Sequence, residues 1–103
     1  MARDRLKARA KGGKTIVKAI IAHPMESGRR RDKATGNLLP AHFIQEVTCL
    51  HNGNTVLTTQ WGGSVSTNPY LSFRISGGKK GDTITLKWSD IKGNSGELSG
   101  KVS

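Results

Sequence analysis

An all-β sandwich is what this chain predicts, from two observations. Its apolar residues come in short alternating bursts rather than at helical spacing, and glycine-rich turns separate the bursts. Gly supplies 13 of the 103 residues, a share that suits many short strands joined by tight turns. The length holds one domain around one core and leaves no room for a separate catalytic domain. Residues 1–14 form a basic N-terminal segment and residues 15–103 the single domain.

The elements follow in chain order. Arg5 to Ala10 alternates basic residues with Leu6, Ala8 and Ala10, the pattern of an edge strand whose outward Lys and Arg discourage pairing with other chains; a frayed helix is the alternative there. After Gly12-Gly13, Thr15 to Ala22 is apolar on both faces (Ile16 and Ile20, Val17 and Ile21), as a central strand would be, and His23-Pro24 ends it because proline cannot continue a ladder. Ser27 to Leu39 carries Gly28, Asp32, Gly36 and Asn37 without apolar periodicity, so it is a charged loop or loose hairpin closed by Pro40.

Ala41 to Leu50 is the next strand, with Ala41, Phe43, Val47 and Cys49 on one face and His42, Ile44, Glu46, Thr48 and Leu50 on the other. Gln45 on the apolar face signals a bulge. Asn52-Gly53 between two alternating runs is a strong hairpin signal, because both residues tolerate positive φ. Thr55 to Trp61 returns antiparallel with Leu57 and Trp61 inward. Beyond a loop from Trp61-Gly62-Gly63 to Asn68-Pro69, Leu71, Phe73 and Ile75 alternate with Tyr70, Ser72 and Arg74. A Gly-Gly-Lys-Lys-Gly-Asp turn leads to Thr83–Asp90, with Ile84, Leu86 and Trp88 inward, and Lys92-Gly93-Asn94 turns the chain into a weak last strand around Leu98 and Val102. About seven antiparallel strands at this spacing describe an immunoglobulin-like β-sandwich.

The formal net charge of +10 raises nucleic acid, an anionic membrane or an acidic protein as partners. Eleven of the 17 Lys and Arg lie between Arg3 and Lys33, which puts the basic character in the N-terminal third and in the loop holding Arg29, Arg30, Arg31 and Lys33. A nucleic-acid face would pair such cations with exposed aromatic residues. Phe43, Trp61, Phe73 and Trp88 all fall on core faces, leaving only Tyr70, so the arginine run reads as a solvated loop or a guide for an acidic protein. No segment approaches the ~20 apolar residues of a membrane span. The first apolar segment, Ile16 to Ala22, is interrupted by Lys18 and does not read as a signal peptide, which taken alone points to the cytoplasm.

Candidates for chemistry are few. Cys49, the sole cysteine, excludes an intrachain disulfide, and its alternation with Phe43 and Val47 gives it an apolar setting in place of the neighbouring cation a reactive thiol needs. His23, His42, His51, Cys49 and Met25 are ligand types for copper or zinc, but no Cys-x-x-Cys or His-x-x-x-His spacing gathers them. There is no phosphate-cradling glycine loop and no Ser/His/Asp ordering. The expectation is a protein without catalytic residues, metal or cofactor. Its rivals are a nucleic-acid or polyanion-binding module and, more distantly, a copper-binding periplasmic protein.

Several blocks in register carry a resemblance: His23-Pro24-Met25-Glu26, Pro40-Ala41-His42-Phe43-Ile44-Gln45-Glu46-Val47, His51-Asn52-Gly53, Gln60-Trp61-Gly62, Ser66 with Asn68-Pro69, and Gly81-Asp82 leading to Trp88. In these the chain resembles, from about Thr15 to Gly93, the Z subunit of the Sox sulfur-carrier complex. The resemblance implies a non-catalytic subunit that pairs as a heterodimer with a Y subunit, whose cysteine on a glycine-rich C-terminal arm holds thiosulfate-derived sulfur for other Sox enzymes. It also implies a periplasmic protein exported together with its partner, with self-association as a homodimer the alternative for the isolated chain, and neither nucleic acid nor membrane as a target. The basic N-terminal segment departs from the family pattern.

The partner surface expected from sequence is an exposed sheet face or edge at Ile44, Leu50 and Tyr70, with the loops at Met25 and Trp61-Gly62 beside it. Arg29, Arg30 and Arg31 would guide acidic partners toward it.

Overall fold

A computed structural model describes residues 4–65 and 67–103. Within them lie seven strands: β1 (Arg5–Lys11), β2 (Lys14–Ile20), β3 (Ile44–His51), β4 (Asn54–Gln60), β5 (Tyr70–Ser76), β6 (Thr83–Asp90) and β7 (Ser95–Lys101). They form a three-stranded sheet, β1-β2-β5, and a four-stranded sheet, β4-β3-β6-β7, and every ladder is antiparallel. This is the all-β sandwich that the alternation predicts. Ser66, one of the resemblance residues, lies outside the described residues. Among the described residues no helix is long and apolar enough to cross a membrane.

Arg5–Lys11 forms a strand and not a frayed helix. Its register with β2 runs without a slip from Arg5↔Ile20 to Lys11↔Lys14. Its other edge is occupied by the chain's end: Ala8 bridges Val102, and Ser103 both donates to Ala8 and accepts from Ala10. This closes the sandwich along β1 and β7. The hairpin signal at Asn52-Gly53 is realised by φ values of 50° and 84°, the left-handed pair that a two-residue turn between twisted strands requires.

The core is built from the inward residues of both sheets, including Val17, Ala19, Val47, Ile84, Leu86 and Leu98. Trp88 also lies inward, packed against this cluster, and its indole covers Gly96 across the β6–β7 ladder. A Cβ at Gly96 would sit 2.5 Å from that ring, so only glycine lets the tryptophan lie there.

The bulge signalled by Gln45 is present, as a register shift between Ile44 and Glu46 against β6. It corrects one assignment. An extra residue reverses the strand's parity, so Ile44 shares the inner face with Val47 instead of the outer face with Glu46, and it is fully buried. The charged segment between β2 and β3 is a small hairpin, in which Arg31 bridges Leu38 and Gly36 closes a turn onto Asp32.

Candidate functional site

Three segments remote in sequence meet at Asp90. His23, just beyond β2, and His42, just before β3, both direct Nε2 at Asp90 Oδ2, at 3.0 and 2.8 Å. The backbone amides of Lys92 and Asn94 donate to Oδ1 of the same carboxylate. Burial pushes the Asp90 carboxyl up, but the bonds from His23, Asn94 and His42 outweigh it and hold the group well below the usual carboxylate range.

The tautomer of His23 follows from its other nitrogen. Met25 N–H donates to Nδ1 at 3.1 Å, so Nδ1 is the acceptor and the proton sits on Nε2, where it is given to Asp90. A metal-ligating histidine has the opposite arrangement, with its far N–H donated outward and its near nitrogen bare. His23, His42 and Asp90 place one ligand atom each within 4.8 Å of one another, yet the donor pattern makes them a structural knot that ties the β2–β3 connection to the end of β6. Met25 completes it, with a φ of 49° and a sulfur that accepts from Ile44 N–H.

The remaining metal-type residues go elsewhere. His51 bonds Asp82 at 2.8 Å, and this bond, with the Lys79 amide and Asn52, lowers the Asp82 carboxyl to about 2. Cys49 is buried in the core, and burial raises its thiol to about 11. That is the reverse of an activated nucleophile.

The arginine loop is engaged with itself. Arg30 pairs with Glu26, which holds that carboxyl below its ordinary value, and Arg31 donates to the carbonyl of Gly36 at 2.8 Å. Of the three arginines only Arg29 has its side chain free of such a bond among the described residues.

The other sequence-predicted partner residues do not form one surface. Met25 and Ile44 lie in the core, because the knot and the bulge draw them inward, so neither presents a side chain to a partner. Leu50 is half-buried on the outer face of the four-stranded sheet, and Tyr70, 60% exposed, is on the outer face of the other sheet, which puts them on opposite sides of the sandwich. Trp61 packs against the core, and its amide donates to Gln45 at the bulge. Gly62 follows in a half-buried loop.

A feature that the motif reading passes over lies between β4 and β5. These are the free edges of the two sheets, and they border a hollow of about 360 Å³ lined by Val56, Leu57, Arg74, Ile75 and Ser76. Leu57 points inward opposite Cys49 but remains 38% exposed, and Val56, the extra residue of a second register shift, is 44% exposed. Asn54–Gln60 contains no charge and no proline, so of the usual guards of an edge strand β4 keeps only the bulge at Val56. That composition was the available signal.

No curated protein gives a significant match to the chain. A comparison with protein-family models matches residues 3–101 to the sulphur oxidation protein SoxZ. Nearly the whole sandwich, from the first edge strand to the last, is therefore shared with that family, and the chain belongs to the SoxZ family of sulphur oxidation proteins.

Proposed function

We propose that this chain is the non-catalytic subunit of a heterodimeric sulfur carrier. It pairs with the Y subunit, whose C-terminal cysteine arm carries thiosulfate-derived intermediates between sulfur-oxidising enzymes, and the pair works in the periplasm after export together. Family membership supports the setting. The chemistry of the chain supports the division of labour, since the only cysteine is buried with a raised thiol and the histidines are committed to aspartates.

The observation that carries the pairing is the open side at β4 and β5. An uncharged edge strand whose inward-facing Leu57 is only partly covered, with Val56 exposed beside it, is what a permanent partner would complete, by strand addition, by packing on Leu57 and Val56, or by both. Stable partners prefer such apolar, desolvated surface, and a pairing of standard size would bury roughly 1,600 Å² in total.

The test is co-expression with the Y subunit, followed by hydrogen exchange on the pair and on the isolated chain. Protection gained along Asn54–Gln60 and Tyr70–Ser76 supports this placement. Protection gained only elsewhere rejects it.

A further inference from the structure

The outer face of the three-stranded sheet carries a positive charge that the fold does not use. Arg5, Lys7, Arg9 and Lys11 stand on β1, Lys14 and Lys18 on β2 and Arg74 on β5, all exposed; the three strands contain no Asp or Glu. The register sets Lys7 directly across from Lys18 and Lys11 across from Lys14, while Arg9 and Arg74 flank Ile16. Among the described residues none of these cations takes part in an ion pair. Like charges directly opposite one another weaken a sheet, so the arrangement works against the isolated fold.

Edge protection does not account for it. A charged edge strand shields its own unpaired groups, but β2 is the central strand of its sheet, and the free edge of β1 is partly occupied by Val102 and Ser103. The cations also have an apolar footing. Ile16 and Ile20 lie half-buried in the same plane, and Tyr70 stands exposed beside Ile20.

We propose that this face is a docking surface for a second protein presenting a flat, Asp- and Glu-rich face, and that the contact is transient and electrostatically steered. The proposal rests on the carrier reading above: the acidic partner is an enzyme that acts on the sulfur held by the Y subunit, and the pairing at β4 and β5 leaves the face free to receive it. Opposed charges across an interface raise encounter rate and select partners more than they add affinity, which suits a carrier that must visit and leave. Nucleic acid fits less well. Single-stranded nucleic acid would want several bases stacked on aromatic rings, and Tyr70 is the only exposed aromatic side chain among the described residues.

The experiment uses the complex of this chain with its Y subunit as substrate in thiosulfate oxidation reconstituted with the purified sulfur-oxidising enzymes, with cytochrome c reduction as readout. The variant Lys7→Glu/Lys18→Glu is compared with Lys7→Gln/Lys18→Gln. Native mass spectrometry monitors pairing with the Y subunit, and mobility of a short DNA duplex is measured at about 150 mM salt. The expected result is intact pairing, a KM for the carrier raised about tenfold or more in the Glu variant and less in the Gln variant, an unchanged kcat, and a flattened salt dependence. An unchanged KM with intact pairing overturns the docking proposal and leaves the carrier reading standing. Loss of pairing in the variants alone overturns it by assigning the face to the Y subunit, and tight DNA binding that the variants abolish, with KM unaffected, overturns it in favour of a polyanion module. Failure of the wild-type chain to pair at all sinks the carrier reading and this proposal with it.

Discussion

Leu57 stands directly across from Cys49 in the β3–β4 ladder, yet Cys49 is 1% exposed and Leu57 38%. Two neighbours on one inner face differ this much because the opposing sheet ends at β5 and leaves the last strand of the larger sheet uncovered. The sandwich is closed on one side, where β1 meets the end of the chain, and open on the other. This open side is where we propose that the partner subunit sits.

Substituting the open side and the core should therefore have opposite effects. Leu57→Asp should leave the isolated chain folded and cost it less stability than Ile44→Asp, since the side chain already meets water in part. It should weaken pairing with the Y subunit by about 2 kcal/mol or more, the range of an interface anchor. Ile44→Asp should instead leave the chain insoluble, because it places a charge in the core, and even Ile44→Ala should cost about 2–5 kcal/mol. Urea unfolding of the isolated variants and titration with the Y subunit separate the two effects.

Asp90 ties the loops that carry His23 and His42 to the end of β6. Asp90→Ala would leave the buried His23 Nε2–H without its acceptor, at about 1–3 kcal/mol, and would free the turn amides of Lys92 and Asn94. The expected outcome is a marked loss of stability with early proteolysis in the 21–43 segment, read by thermal unfolding and limited digestion. A variant that stayed fully stable and lost only activity would argue for a catalytic or metal-binding role instead.

Acid should weaken the fold in a defined direction. The Asp82 carboxyl, at about 2 in the folded chain against an ordinary 3.8, and Asp90, also held low, both favour the ionised form when folded. Their contribution is fully present above the ordinary value; that of Asp82 is lost as pH falls from there through about 2, and that of Asp90 lower still. Stability measured at falling pH should drop over this window, and Asp82→Asn should reduce the drop.

Cys49 should be inert. With its thiol raised from 9.0 to about 11, the thiolate fraction near neutral pH is about 100-fold below that of an ordinary cysteine, and burial adds a steric barrier. Alkylation should therefore proceed only as the chain unfolds, and Cys49→Ala should still support sulfur oxidation. Rapid labelling of the native chain would contradict this.

Much of the fold was legible where a local rule governs. The alternation of Leu71, Phe73 and Ile75 with Tyr70, Ser72 and Arg74 gave β5 and its faces, and Asn52-Gly53 gave a hairpin. The bulge at Gln45 could be sensed, but its consequence for Ile44 depends on which residue is the extra one, and that is decided by the β6 partner. The meeting of His23, His42 and Asp90 spans 67 residues and arises from strand order, which no spacing rule encodes. The open side escaped notice for a different reason. Its signal is the absence of charge in Asn54–Gln60, which matters only once that strand is known to be an edge.

The most direct measurement is native mass spectrometry of this chain co-expressed with its Y subunit, alongside the Leu57→Asp variant. The expected result is a 1:1 heterodimer for the wild-type chain and free subunits for the variant. A wild-type chain that stays alone, or pairs only with itself, would contradict the carrier role.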